Sequence, residues 1–281
     1  MEFWKGHALG NDYIVLDPSD GAPPPEAAIR RLCDRHRGVG GDGILVADRD
    51  RDPVGLRIFN PDGSEAEKSG NGLRIFGAWL HGRGLVGEDP FQVALPEETV
   101  EMRVLEVRPD GALVLAVEMG RASFRAGRLP YTGAPADAEV VGGAIEAGGE
   151  VVSAHLVSMG NPHCVVFADT LDMERFRRLG PAIQDLPAFP RGVNVQLARI
   201  AGPASVEIRI WERGAGETAA SGSSACAVVA AARRAGRIEA EEVEVRMPGG
   251  VVVVRVDASW AVRLTGGARM VFRGEFAEGA L

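Results

Sequence analysis

Apolar and polar positions alternate over Leu56-Arg57-Ile58-Phe59 and again over Ile208-Arg209-Ile210-Trp211, a period of two that predicts half-buried strands. A turn-forming segment follows each, Asn60-Pro61-Asp62-Gly63 in one case and Glu212-Arg213-Gly214-Ala215-Gly216 in the other. Beyond the turns the pattern changes to that of helices. Leu73 to His81 and Ala225 to Arg234 are runs of helix formers without internal proline, ended by Gly82 and Gly236. A further helix is predicted over Pro25 to Arg37, followed by a strand from Ile44 to Ala47. The run Val251-Val252-Val253-Val254 predicts a buried strand.

These elements occur twice, in one order, at an offset of about 152 residues. Leu9-Gly10-Asn11 recurs as Met159-Gly160-Asn161, and Arg37-Gly38-Val39-Gly40 as Arg191-Gly192-Val193-Asn194. Leu56 to Asn60 recurs as Ile208 to Glu212, Ser69-Gly70 as Ser221-Gly222, Gly84 as Gly236, and Val93 to Pro96 as Val245 to Pro248. Each copy is strand-rich with one long helix entered through a serine-glycine turn, so the expected fold is α+β with two similar lobes. The boundaries expected are 1–122 for the first lobe and 123–268 for the second, with 269–281 returning to the first. A cleft between the lobes is the expected place for a site.

Composition narrows the function. The chain has 281 residues, 46% of them hydrophobic, enough for two cores. A formal charge of −8 gives no basic footprint, so nucleic acid is not an expected partner. Neither a basic segment leading into an apolar stretch nor a long apolar run is present, which points away from membranes and towards the cytoplasm. Cys33, Cys164 and Cys226 lack CxxC spacing and are expected to be buried thiols. The five histidines show no metal-ligand spacing. Lysine occurs only as Lys5 and Lys68, which leaves two candidates for a pyridoxal Schiff base.

Gly38-Val39-Gly40-Gly41-Asp42-Gly43 fits a dinucleotide fingerprint by spelling, yet it lies between a predicted helix and a predicted strand, the reverse of that motif's context. It reads as a tight turn. Ser69-Gly70-Asn71-Gly72 and Ser221-Gly222-Ser223-Ser224 each open a predicted helix. Taken singly they are ordinary N-caps. As a homologous pair they offer two positive helix ends to one anion, a carboxylate for instance. Symmetric lobes would also deliver an acid and a base to opposite faces of one carbon, as inversion of an α-carbon demands. Asn11, Asn60, Asn161 and Asn194 are either turn residues or, with Glu212 and Arg213, a polar pocket for a zwitterion.

Leu9-Gly10-Asn11-Asp12-Tyr13, Phe59-Asn60-Pro61-Asp62-Gly63-Ser64, Gly70-Asn71-Gly72, Met159-Gly160-Asn161-Pro162-His163, Trp211 to Thr218 and Pro248-Gly249-Gly250 together resemble the diaminopimelate epimerase family, in order and over nearly the whole chain. The resemblance implies two lobes, each a mostly antiparallel sheet around a central helix. It also implies a cofactor-independent amino-acid epimerase or racemase that needs neither metal nor pyridoxal, and a possible homodimer. Asn11, Asn60, Asn161, Asn194, Glu212 and Arg213 match positions that hold the distal amino-acid end of the substrate. Gly70, Asn71, Gly222 and Ser223 match the cradle for the reacting carboxylate, and His163 and Glu212 match groups that polarise the catalytic pair. Ser69 and Ser221 stand where the family places two catalytic cysteines. Serine is a far weaker acid than cysteine, so it needs help from His163, Glu212 or Lys68 to shuttle protons. The departure leaves open three readings: a serine-based or slower exchange, a non-catalytic amino-acid-binding homologue, and replacement of native cysteines. A cofactor-free carbon-carbon isomerase or dehydratase on the same fold is a further alternative.

Overall fold

The computed structural model describes residues 1–18 and 21–277. The chain divides into two compact units, Met1–Glu118 together with the segment from Thr265 onward, and Met119–Leu264. Residues 278–281, the end of the segment expected to return to the first lobe, lie outside the described residues.

The first unit runs β1 (Glu2–Ala8), β2 (Asn11–Leu16), α1 (Glu26–Cys33), β3 (Ile44–Asp48), β4 (Gly55–Phe59), β5 (Glu65–Ala66), α2 (Gly70–Gly82), β6 (Phe91–Ala94), β7 (Thr99–Val107) and β8 (Leu113–Arg121). The second runs β9 (Val141–Ala147), β10 (Glu150–Ser158), β11 (Pro162–Phe167), α3 (Met173–Gln184), β12 (Asn194–Gly202), β13 (Ser205–Glu212), β14 (Gly216–Thr218), α4 (Gly222–Arg234), β15 (Glu242–Met247) and β16 (Gly250–Val256); β17 (Ala261–Glu275) starts in the second unit and continues into the first.

From β1 to β8 and from β10 to β17 the order of strands and helices is the same. Within each copy a hairpin is followed by a parallel neighbour: β2 pairs with β3 in parallel, and β11 with β12. The next pair is antiparallel, β3 with β4 and β12 with β13, and the strand after the buried helix returns in parallel, β6 to β4 and β15 to β13. The hairpins β1–β2, β6–β7, β7–β8, β9–β10, β10–β11 and β15–β16 are antiparallel. The first unit closes into a ring, because β17 pairs with β1 on one edge and β8 on the other.

Helix α2 fills that ring. Every residue from Gly70 to Leu80 is buried, and Phe76 stacks on Trp79 with ring centroids 5.4 Å apart. A helix apolar on all sides is stable only when enclosed, and each such aromatic contributes about 3 kcal/mol of burial. In α4 the same enclosure is met by small residues, Ala225 to Ala232 being alanine, valine or cysteine and all buried. Cys33, Cys164 and Cys226 are all buried. Among the described residues no helix is long and apolar enough to cross a membrane.

Two local expectations change. The helix expected to reach Arg37 stops at Cys33, because the Asp34 carboxylate accepts hydrogen bonds from the amides of His36 (2.8 Å) and Arg37 (2.9 Å) and turns the chain there. Strand register also revises one match within the repeat. Parallel pairing places Ile44 beside Ile14 and Asn194 beside His163, so Asn194 corresponds to Gly43 rather than to Gly40.

Candidate active site

In the first unit Ser69 is the N-cap of α2, extended at φ −136°, and its hydroxyl accepts a hydrogen bond from the Gly72 amide at 3.0 Å. Such a cap stabilises a helix by about 1 kcal/mol. The Tyr13 hydroxyl lies 3.4 Å from the same oxygen. Gly70 and Asn71 form the first turn of α2, both buried. The Asn71 amide donates to Asn11 Oδ1 (3.0 Å), and the Asn11 amide donates to Asp42 Oδ2 (2.9 Å). Fully buried Arg74 donates to Asn71 Oδ1 at 2.5 Å. The chain of donors therefore runs from Arg74 through Asn71 and Asn11 to a carboxylate, which fixes both amides in one orientation.

Asp42 belongs to a charged group under the β1–β2 hairpin. Arg35 bridges Asp12 (2.6 Å) and Asp42 (2.7 Å), and Lys5 reaches Asp12 at 2.6 Å and also bonds the Gly40 carbonyl. Burial alone would raise the Asp12 carboxyl, but hydrogen bonds from Arg35 and Lys5 hold it down at about 2. The glycine-rich segment thus ends in a structural carboxylate. Gly43 is required there, since a Cβ would sit 2.4 Å from the Phe59 carbonyl and 2.6 Å from the Tyr13 ring. Asn60 stands apart from this network, its amide donating to Ser64 Oγ within its own turn. Lys68, beside Ser69 in sequence, forms an ion pair with Glu98 at 2.9 Å.

In the second unit Ser221 is the N-cap of α4 at φ −144°, but its side chain makes no capping bond. Its oxygen lies 3.5 Å from Ser223 Oγ, the outer limit of a hydrogen bond. Asn161 donates to Ser223 Oγ at 3.4 Å and contacts His163 Nε2 through Oδ1 at 2.9 Å. The other ring nitrogen of His163 lies 3.1 Å from Gln196 Nε2, which also donates to Ser224 Oγ at 3.0 Å. His163, Gln196 and Ser224 are fully buried. Burial pushes the imidazole of His163 down to about 3, so the ring is neutral at pH 7. Asn194 accepts from the Arg213 amide (3.0 Å) and donates to the Pro162 carbonyl (3.0 Å); Thr218 donates to Glu212 (2.7 Å). The Arg213 guanidinium is exposed and bonds the Arg191 carbonyl at 3.1 Å.

Each unit therefore assembles a serine N-cap with the amides expected near it. Ser69, Gly70, Asn71 and Asn11 form one group; Ser221, Gly222, Ser223, Asn161 and His163 form the other, with Asn194 and Arg213 in contact nearby. Sequence reasoning missed Tyr13, Asp42, Arg74 and Gln196. Arg74 had a visible signal, a cation between Leu73 and Ile75 in an otherwise apolar helix; Gln196, one polar residue in a strand, had none.

A family model described as diaminopimelate epimerase matches residues 3–125 and 155–271. The chain belongs to the diaminopimelate epimerase family. It is 40% identical to diaminopimelate epimerase 2 of Nostoc over 279 residues, covering 98% of this chain and 95% of that one. It is 39% identical to the diaminopimelate epimerase of Desulfitobacterium hafniense over the whole of both chains. Among solved structures, a hydroxyproline epimerase from Agrobacterium vitis with bound trans-4-hydroxy-L-proline superposes with a TM-score of 0.69 at 15% identity, covering 98% of this chain and 90% of that one. At that identity the likeness is one of fold. The two-lobed α+β fold of the diaminopimelate epimerase family is thus the fold of this chain.

Proposed function

We propose that the protein inverts the α-carbon of a zwitterionic amino acid by removing a proton from one face and returning one to the other, without a cofactor, and that diaminopimelate is the first substrate to try. The observation that carries this reading is full-length similarity to proteins named diaminopimelate epimerase, combined with a serine at the N-cap of each buried helix. Ser69 and Ser221 are the proton carriers in this reading. The amides of the first turns, at Gly70-Asn71 and Gly222-Ser223, hold the reacting carboxylate, whose negative charge grows as the proton leaves. Asn11, Asn60, Asn161, Asn194, Glu212 and Arg213 hold the distal amino-acid group. His163 and Glu212 act behind the serines. A cytoplasmic setting is part of the same reading.

Serine is the weak point of the chemistry, because each pK unit that separates a hydroxyl from a thiol adds about 1.4 kcal/mol to forming the base. A specific observation, serine at both positions, therefore favours a second reading in which the protein binds such an amino acid without turning it over. Proton NMR of LL- and meso-diaminopimelate in D2O separates the two. Exchange of the Cα proton by the purified protein, lost in Ser69→Ala and Ser221→Ala, is the expected result. Exchange only by a Ser69→Cys, Ser221→Cys double variant would make the protein a binder. Exchange by neither would end the diaminopimelate assignment.

A further inference from the structure

The side-chain contacts behind Ser221 have a polarity that one residue determines. Gln196 Nε2 carries two N–H groups, and both find acceptors, His163 Nδ1 at 3.1 Å and Ser224 Oγ at 3.0 Å. An imidazole nitrogen that accepts carries no proton, so the neutral ring of His163 has its hydrogen on Nε2. That hydrogen points to Asn161 Oδ1, 2.9 Å away. With its oxygen accepting, Asn161 turns its amide nitrogen to Ser223 Oγ at 3.4 Å. The Ser223 hydroxyl, already an acceptor, has its own proton to give to Ser221 Oγ at 3.5 Å. Every donor in the series points the same way, from Gln196 to Ser221.

The opposite sense is also conceivable, with the Gln196 amide turned over, the His163 proton on Nδ1, and each later donor reversed. It is the poorer arrangement. In the first orientation Gln196 leaves one oxygen buried without a partner. Turned over, it would leave two N–H groups buried in its place, and each orphaned donor carries its own desolvation penalty. The corresponding helix in the first unit has no hydroxyl at the position of Ser224, which is Gly72 there. The second unit alone has the serine that occupies the second Gln196 donor.

We propose that Gln196 is a positioning residue which, anchored by Ser224, fixes His163 as its Nε2–H tautomer and so makes Ser221 Oγ the end point of a one-way series of donors. The inference rests on the proposed function for its consequence: a Ser221 oxygen that accepts from Ser223 is free to direct its own proton at a substrate carbon. The geometry itself does not depend on turnover, so its test has a readout without substrate.

Long-range proton–nitrogen NMR on the full chain labelled with nitrogen-15 at histidine reports the tautomer of each ring, with His163 assigned by comparison with His163→Gln. The expected wild-type signal is Nε2 protonated and Nδ1 bare at pH 7. In Gln196→Glu the carboxylate can only accept, so the expected spectrum shows a proton on Nδ1. Gln196→Met, which neither donates nor accepts there, is expected to show a mixture. A wild-type His163 protonated on Nδ1, or a Gln196→Glu spectrum unchanged from wild type, overturns the proposal. Under the proposed function, kcat for Cα exchange should fall by about tenfold or more in Gln196→Met with KM little changed, a part of the roughly 10²–10⁴-fold that general acid–base catalysis supplies. An altered tautomer with kcat unchanged would overturn the positioning role. Should wild type show no exchange at all, the proposed function fails while the spectra still decide the tautomer.

Discussion

Acid should weaken the second unit through two neutral histidines. His163 is wholly buried, with its imidazole depressed to about 3, and His155 is buried without a partner for either ring nitrogen, depressed to about 4 by burial and by the charge of Arg237. In the unfolded chain both titrate near 6.5. Because the folded values lie below the unfolded one, the stabilising contribution is complete above pH 6.5 and is lost as the pH falls towards the folded values. Between pH 7.5 and pH 5 the unfolded chain takes up a proton on each ring that the folded chain refuses. That costs about 2 kcal/mol per histidine, or roughly 4 kcal/mol together, out of the 5–15 kcal/mol of a typical domain. Most carboxylates titrate below that window and contribute little within it. The assay is urea unfolding of wild type, His163→Gln and His155→Phe at pH 7.5 and pH 5, comparing the loss between the two pH values in each protein. Each variant should lose about 2 kcal/mol less than wild type, whatever its stability at pH 7.5. Equal losses in all three proteins would refute the reasoning, since they would mean that the rings are protonated in the folded state.

Three further outcomes are expected. Gly180→Ala should destabilise by about 1–3 kcal/mol in thermal unfolding despite alanine's better helix propensity, because the added Cβ would lie 2.8 Å from the Trp211 ring. Asp12, held at about 2 by Arg35 and Lys5, contributes about 2 kcal/mol that is present above pH 4 and lost as the pH drops towards 2; Asp12→Asn should flatten that part of the acid unfolding curve. Tyr13→Phe removes the hydroxyl 3.4 Å from Ser69 and should slow Cα exchange while leaving the urea midpoint within about 1 kcal/mol of wild type.

Much of this arrangement was legible in the sequence because a duplicated pattern carries its own control. The Ser69 and Ser221 turns gained meaning by occurring twice, and both proved to be helix N-caps. The helices themselves were visible from composition, although each begins three residues earlier than propensity indicated, since glycine, asparagine and serine in the first turns lower propensity without preventing the start. The end of α1 was not legible, because an aspartate that caps a helix and one that breaks it read alike. Gln196 could not be found from sequence at all. Its role depends on β12 lying parallel to β11, which brings it within reach of a histidine 33 residues away. Asp42 was read as part of a turn, which it is, but the amide it steers belongs to a different hairpin.

The closing strand of the first ring is β17, separated from β8 along the chain by the elements of the second unit. On the ribosome, β1 and β8 are therefore made long before the partner that seals them, and the growing chain carries two open strand edges throughout synthesis of the second unit. A transcript cut short before residue 265 would yield a first unit with no means of closing, prone to pair with other copies of itself. The second unit thus stands, along the chain, between the first unit and the strand that seals it: the later copy has to be made before the earlier one can finish folding.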